Sequence, residues 1–375
     1  MLSKACLVGA YQRKLEEIAR FADVDLTVVV PPSWQDPAAP LQLERSHTAG
    51  YTLRVEPIRF NGSYHLHYYP RLKQRLAAVR PDVVHIDEEP YNLATWLAMR
   101  QARAVGAKTL FFTWQNLNRR YPQPFRGMEQ QVLRQADYAL MGNQEAVDVC
   151  RAKGYRGPCR VLPQFGVDPR LFRPVVRAAD RPFTIGAANR RLVPEKGVDL
   201  LLRAAAGLPG HWQVRIAGEG PAQAPLAQLA RDLGIADRVR FDGPISSAEM
   251  PGYLQQLDVL VLASRTRPNW KEQFGRVLVE AMACETAVVG ARSGEIPHVI
   301  GDAGLTFAEE DVAQLAQHLR TLLQDPAYRQ ALGKQGRQRV LDQYTQTQIA
   351  AQTVAVYREM LGPSPIRQEN RPETL

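Results

Sequence analysis

Short apolar, β-branched runs alternate with helix-period stretches from one end of this chain to the other, and that alternation leaves few folds open. A strand that reads as an unbroken apolar run is buried on both faces, the state of strands in a parallel sheet flanked by helices. In the first half such runs fall at 5–8, 26–30, 53–58, 83–86, 109–113, 138–141 and 160–162, with helix-period stretches at 12–21, 93–105 and 146–153. The second half repeats the logic with strands at 183–187, 213–217, 239–241, 259–262 and 287–289 and helices near 198–206, 250–257, 274–283 and 312–323. The expected class is α/β: two Rossmann-like, doubly wound domains facing each other across a cleft. The 375 residues suit two domains of ordinary size. Two prolines, Pro169 and Pro174, mark a linker between them. The division expected is a first domain at 1–173 and a second at 174–344. A last helix at about 345–362 is long enough to pack back on the first domain, and a polar, Pro-containing tail at 363–375 is expected to be disordered.

Several classes drop out. No apolar run approaches the ~20 residues of a membrane span. Residues 1–9 read as a strand, with too short an apolar part for a secretory signal. Cys6, Cys150, Cys159 and Cys284 form no CxxC pair, so a reducing, cytoplasmic setting is expected. The net charge of +9 is unevenly spread: residues 1–175 hold 24 Lys and Arg against 16 Asp and Glu, whereas the remainder is nearly balanced at 23 and 22. A basic half suits phosphate-bearing partners or an anionic membrane surface. No nucleic-acid-binding motif accompanies it, so nucleic acid is not an expected partner. The stretch 64–80 mixes aromatics with Arg and Lys; it reads either as a membrane-facing patch that delivers a lipid-linked acceptor or as a plain helix with a basic outer face.

Ligands of doubly wound sheets bind outside the carboxyl ends of the strands, so loops after strands are where chemistry belongs. The strongest cluster there is Asn269-Trp270-Lys271-Glu272-Gln273-Phe274-Gly275-Arg276, running into a helix that carries Glu280. Gly275 lets a ligand approach the backbone, and the first N–H groups of the helix have no partner within it, which favours a phosphate. Glu280 lies roughly 7–8 Å along the helix from Gly275, at ~1.5 Å per residue. That separation suits one carboxylate on a ribose and the other, Glu272, on the group beyond the phosphates. Taken alone, the same spacing also describes two surface carboxylates.

A second cluster, Asn189-Arg190-Arg191 followed by Pro194-Glu195-Lys196-Gly197, trails the strand at 183–187. Two cations there can converge on one diphosphate, or simply face water. Gly218 in Ala217-Gly218-Glu219-Gly220 and the turn Ser293-Gly294-Glu295 also follow strands.

Together, in this order, the four clusters resemble the retaining glycosyltransferases of family 4 (group 1), which have the GT-B fold. The resemblance implies that Arg191 and Lys196 grip a donor diphosphate, that Glu272 meets the donor sugar, and that Glu280 holds the ribose. Phe274, Gly275 and Arg276 would supply backbone donors, with Gly218 and Asn189 also on the donor side. The catalytic set implied is therefore Glu272, Arg191 and Lys196. The donor implied is a UDP- or GDP-sugar, the acceptor a glycan, a lipid-linked or a small-molecule hydroxyl in surface glycan, polysaccharide or glycolipid synthesis, with peripheral membrane association open. This chain departs from the family at Cys284-Glu285-Thr286-Ala287-Val288, where Gly and Pro are usual, and after the first strand, where only Gly9 remains of a glycine-rich loop.

Acceptor-side candidates in the first domain are Gly9, His85, Glu88, Gln115, Asn116, Arg119 and Asn143. Asp87, Glu88 and Glu89 form an acidic turn that either reaches the cleft to meet an acceptor hydroxyl or is merely solvated. Gln115 and Asn116 stand where many relatives have a His; their amides can hydrogen-bond a sugar but cannot act as bases. Asn143 can equally be a helix N-cap. Asp23-Val24-Asp25 matches a metal-binding Asp-x-Asp pattern, but it precedes a strand, so a surface turn is expected and no metal or other cofactor is required. The rival readings are a glycan synthase or phosphorylase of the same fold, or a non-catalytic nucleotide-sugar binder. A dinucleotide-binding oxidoreductase is disfavoured, because Val8-Gly9-Ala10-Tyr11-Gln12-Arg13 lacks the Gly-x-Gly-x-x-Gly pattern.

Overall fold

A computed structural model describes residues 1–36, 40–178 and 180–362; the expected tail at 363–375 lies outside the described residues. The first sheet contains β1 (Thr27–Val30), β2 (Thr52–Val55), β3 (Val83–Ile86), β4 (Lys108–Thr113), β5 (Tyr138–Met141) and β6 (Cys159–Val161). All its pairs are parallel, β1 with β2 and β3 through β6 in sequence. Leu2 closes the gap: it bridges Val29 on one side and Ile86 on the other. With Leu2 taken as the first strand, the order is the doubly wound 3-2-1-4-5, continued by two more strands.

That pairing corrects the reading of 5–8 as the first strand. Backbone bonds Leu2 N to His85 O and Ser3 N to Val29 O already complete the ladder at residues 2–3. Ser3 and Lys4 then donate to Asp87 and Glu88, and the chain coils into two 3-10 turns, Ala5–Leu7 and Gly9–Gln12, before α1 (Arg13–Ala19). The sheet is flanked by α2 (Leu72–Val79), α3 (Leu93–Ala104), α4 (Phe125–Gln135) and α5 (Gln144–Ala152). In the basic stretch at 64–80 only α2 is helical; it buries Leu72 and Leu76 against the first-domain core.

The second sheet is built from β7 (Phe183–Arg191), β8 (Trp212–Glu219), β9 (Val239–Gly243), β10 (Val259–Leu262), β11 (Ala287–Ala291) and β12 (Leu305–Phe307). The order is β9-β8-β7-β10-β11-β12, all parallel, so the direction of winding reverses between β7 and β10. Around it lie α6 (Val198–Ala206), α7 (Gln223–Asp232), α8 (Met250–Gln255), α9 (Arg276–Ala283), α10 (Ile296–Ile300), α11 (Val312–Gln324) and α12 (Pro326–Gln343). α9 is apolar because it is walled in: Leu278, Val279, Ala281 and Met282 are all buried in the core shared with Leu260, Leu262 and Val340.

The last helix, α13 (Gln346–Leu361), returns to the first domain. Ile349 and Val356 pack with Leu110, Phe112 and Leu140, and Ala350 and Val354 with Leu15, Ile18 and Val28. The two segments that join the domains run side by side, with Val167 N donating to Tyr344 O at 2.9 Å and Gln346 N to Val167 O at 3.1 Å.

Candidate active site

The loops leaving β7 and β10, the two central strands of the second sheet, meet at the point where winding reverses. β7 runs four residues past its expected end, so Arg191 lies on the strand, paired with Glu219 of β8, and not on a loop. A single 3-10 turn, Pro194–Lys196, then leads through Gly197 into α6. Gly197 has φ 63°, and a Cβ there would lie 1.9 Å from Ala263 O, so only glycine lets this turn press on the chain leaving β10.

The contact places Lys196 Nζ 2.7 Å from Glu272 Oε2, with Ser264 Oγ donating to the same oxygen at 3.0 Å. The ammonium also stands 4.7 Å from the ring centroid of Trp270. Three residues past Glu272, Gly275 caps the N-terminus of α9. One turn on, Glu280 is paired with Arg276 at 2.7 Å, and the Arg276 guanidinium lies 4.9 Å over the ring of Tyr11 from the first domain. Burial raises the Glu280 carboxyl and the Arg276 charge opposes it. Phe274 packs between Trp114 and Tyr344. Asn189 and Gly218 are pressed together, the site of a Gly218 Cβ being 1.8 Å from Asn189 O, and Asn189 Oδ1 is buried with no hydrogen-bond partner among the described residues.

The geometry thus brings Lys196 to Glu272 beside the start of α9. It pairs Arg191 with neither of them; that side chain, on the last residue of the strand, is exposed.

The first-domain candidates divide. Asn116, Arg119 and Asn143 reach across to the loop that carries Glu272. Asn116 Nδ2 donates to Glu272 O at 3.3 Å, Asn143 Nδ2 to Gln273 O at 2.9 Å, and Arg119 to Asn269 O. Asn143 is at the same time the N-cap of α5, accepting from Ala146 N at 2.7 Å. Four other candidates are engaged by partners within the first domain or on the helix that returns to it. His85 points at α13, where its Nδ1 meets Tyr357 Oη at 2.7 Å, and burial pushes its pKa well down, so it stays neutral. Gln115 is spent inside the domain, donating to Glu129 at 3.1 Å and accepting from Lys153 at 2.5 Å. Glu88 is 4% exposed and backs the ammonium of Lys4 at 2.6 Å. Gly9 does not follow a strand: it is buried on Ser46, and its N–H donates to Glu44.

Residue-type patterns missed three groups, and offered Glu89 only as part of the acidic turn that either reaches the cleft or is solvated. Ser264 and Arg265 stand two and three residues past the end of β10, a position that could have singled them out. Trp270 lies inside the recognised cluster, but nothing in its spacing says it stacks on a lysine. Glu89 accepts from Thr113 Oγ1 at 2.6 Å and Trp114 N at 2.8 Å, and desolvation pushes its carboxyl up to about 7. Asp199, Glu309 and Glu310 matter only through Arg265 and Thr266, which are distant in sequence. Among the described residues no group of three or more His, Cys, Asp or Glu is placed to hold a metal ion, and no helix is long and apolar enough to cross a membrane.

Comparison with known proteins completes the picture. The family model described as Glycosyl transferases group 1 matches residues 173–339, and that described as Glycosyl transferase 4-like domain matches residues 8–164. An MMP alpha-(1->4)-mannosyltransferase of Mycolicibacterium hassiacum is 34% identical over 203 residues, 52% of this chain and 47% of that protein. A D-inositol 3-phosphate glycosyltransferase of Mycolicibacterium smegmatis is 36% identical over 225 residues, 54% of this chain and 50% of that protein. The matched region thus spans about half the length of these curated relatives. Among solved structures, a sucrose-phosphate synthase from Thermosynechococcus elongatus superimposes with TM-score 0.67 at 23% identity, over 94% of this chain and 92% of that one. HepE of Anabaena in complex with UDP gives TM-score 0.71 at 17% identity, over 96% and 98%. At these identities the likeness is one of fold, and the fold is GT-B.

Proposed function

The chain belongs to the group 1 glycosyl transferases, with a glycosyl transferase 4-like first domain, and from that premise we propose that it moves a sugar from a nucleoside-diphosphate donor to an acceptor hydroxyl with retention at the anomeric carbon. The observation that carries the reading is the meeting of Lys196 with Glu272 next to the exposed start of α9, at the reversal point of the second sheet. Lys196 is the diphosphate cation, joined by Arg191 when the donor draws that free side chain inward. The amides around Gly275 take phosphate oxygens, as a helix start does. Glu272 faces the sugar hydroxyls and Glu280 the ribose.

As the bond from the anomeric carbon to the phosphate oxygen breaks, the electron pair goes to the leaving diphosphate, and charge builds where Lys196 and the α9 amides stand. The acceptor oxygen bonds to the anomeric carbon on the same face, and its proton passes to the departing phosphate oxygen. No side-chain base is required, in keeping with the neutral, inward-turned His85 and the occupied amide of Gln115. The acceptor approaches along the first-domain wall, where Lys4 lies 5.0 Å from the Trp34 ring and 5.5 Å from that of Tyr64. The excess of Lys and Arg in the first half suits a phosphate-bearing or lipid-linked acceptor.

UDP-glucose and GDP-mannose are the first donors to try, because relatives and structural neighbours include proteins named for one or the other. A panel of UDP- and GDP-sugars, read by thermal shift and by release of the nucleoside diphosphate, should single out one donor. A panel in which no sugar nucleotide shifts the melting temperature or is cleaved would sink the reading.

A further inference from the structure

Arg265 follows Ser264 directly, is only 7% exposed, and takes no part in the site as described so far. Its guanidinium is forked onto Asp199, Nη1 to Oδ1 at 2.6 Å and Nη2 to Oδ2 at 2.8 Å. Nη1 also donates to Pro194 O at 2.9 Å, and Nε to Glu310 Oε1 at 2.6 Å. Its backbone N–H donates to Glu195 O at 2.8 Å. One residue therefore fastens the two ends of the Lys196 turn, its first carbonyls and the first turn of α6, to the chain leaving β10. Next to it, Thr266 is fixed by Glu309, through its N–H and its hydroxyl, both at 2.6 Å. Planar bidentate pairs of this kind set geometry as well as energy. With Arg265 buried and its carboxylates part-exposed, these ion pairs are weak evidence for stability, because desolvation of the cation and solvent screening offset most of the attraction. What they do supply is a fixed register.

We propose that Arg265 is a positioning residue that sets the register between the Lys196 turn and the Glu272 loop, so that the diphosphate and the sugar of one donor are held at the same time. The inference rests on the reading of Lys196 and Glu272 as the two donor-gripping groups. If the register slips, each group still finds its own half of the donor, but not both in the geometry of the transition state. Binding then suffers less than turnover, since misplacement by an ångström is costly mainly to the reacting complex.

The first test is structural and needs no substrate. In a crystal structure of Arg265→Ala, the Lys196–Glu272 contact should be lost, passing beyond the about 4 Å reach of an ion pair. If that contact stays at its present 2.7 Å, the proposal is wrong whatever the activity. Asp199→Asn serves as a second variant should Arg265→Ala fail to fold; it keeps the shape and removes the charge.

The second test is kinetic, with UDP-glucose and GDP-mannose as donors. Arg265→Ala should lower donor kcat by about tenfold or more while KM moves less than about threefold, with Arg265→Lys intermediate. In a Lys196→Ala background the same substitution should cost less than about threefold further, because partners in one unit are not additive. Fully additive losses would mean a general structural role and would overturn the proposal. If the crystal contact is lost but wild-type protein cleaves neither donor and binds neither UDP nor GDP, the register device stands and the donor reading falls. The two failures are therefore distinguishable.

Discussion

Lys196 has two unlike partners, a carboxylate at 2.7 Å and an indole ring, and both would yield readily to a diphosphate of higher charge. A hydrogen bond to a charged group is worth about 1.5–3 kcal/mol, and ~1.4 kcal/mol is a factor of ten in rate. Lys196→Ala should therefore cut donor turnover by about ten- to a hundredfold, with a small drop in melting temperature because Glu272 keeps Ser264 but loses its cation. Glu280→Ala should do so by at least about tenfold, but it also strands Arg276, so a lower melting temperature is expected there as well. Steady-state rates and thermal unfolding on the same preparations check both. Glu89 supports a prediction about pH. Its folded value of about 7 lies above the ordinary 4.5, so the folded state holds the proton more tightly. The resulting stabilisation is complete below 4.5 and is lost as pH rises through about 7. Glu89→Gln, which keeps one acceptor for Trp114 N and can donate to Thr113, should flatten the melting temperature against pH in that window. An unchanged slope would show that Glu89 is not the group responsible. Glu88 runs the other way: burial would raise it, but Lys4 and His67 hold it down at about 2, so its share of stability fades only as pH falls from 4.5 toward 2. The windows do not overlap, and one titration separates them.

At the scale of elements, the strands at 83–86, 138–141 and 259–262 were legible to the residue because both faces of each are buried, so hydrophobicity alone marks their ends. The reading failed where pairing, not apolarity, decides. Residues 5–8 are as apolar as any strand, yet the ladder is already filled by residues 2–3. In such buried strands the ends were readable, but the face a side chain takes was not: His85, inside a buried run, turns to α13, and Gln115, past a strand end, turns into the domain. Long-range partners such as Asp199, Glu310 and Arg265 leave no mark in local spacing. The return of α13 was foreseeable from its length, and its energetic weight follows from what it covers. Ile349 is fully buried against sheet residues of the first domain, Leu110, Phe112 and Leu140. Ile349→Ala should cost about 2–5 kcal/mol of stability, the usual range for emptying such a site. Urea unfolding would measure it, and a loss below about 1 kcal/mol would mean that α13 is only loosely docked.

At the scale of the whole molecule, each sheet carries a lysine–glutamate pair where its winding reverses: Lys4 with Glu88 in the first, Lys196 with Glu272 in the second. The two faces are drawn together by the loop at 266–274, and almost every tie is polar. Asn116 and Asn143 donate to its carbonyls, Gln273 Nε2 donates back to Trp114 O at 3.0 Å, and Lys271 pairs with Glu145. Each such bond nets only about 0.5–1.5 kcal/mol, because water replaces it when the domains part. Surface ion pairs contribute about 0–1 kcal/mol. A handful of such terms, set against the freedom gained on opening, leaves closure finely balanced, as is usual for polar contacts between domains. The hinge, by contrast, is short and doubly hydrogen-bonded at Val167, so opening should rotate intact domains and not unfold either. Replacing Asn143, Lys271 and Gln273 together by Ala should therefore enlarge the radius of gyration in small-angle scattering while circular dichroism keeps its helical signal. Part of any stability loss will come from the α5 cap that Asn143 also provides, about 1 kcal/mol. Asn143→Ser, which can still cap but cannot span to Gln273, isolates the clasp from the cap. If the triple variant scatters like the wild type, closure is held by the ring contact of Phe274 with Trp114 and by Arg276 over Tyr11 instead, and the polar clasp is a consequence of closure, not its cause.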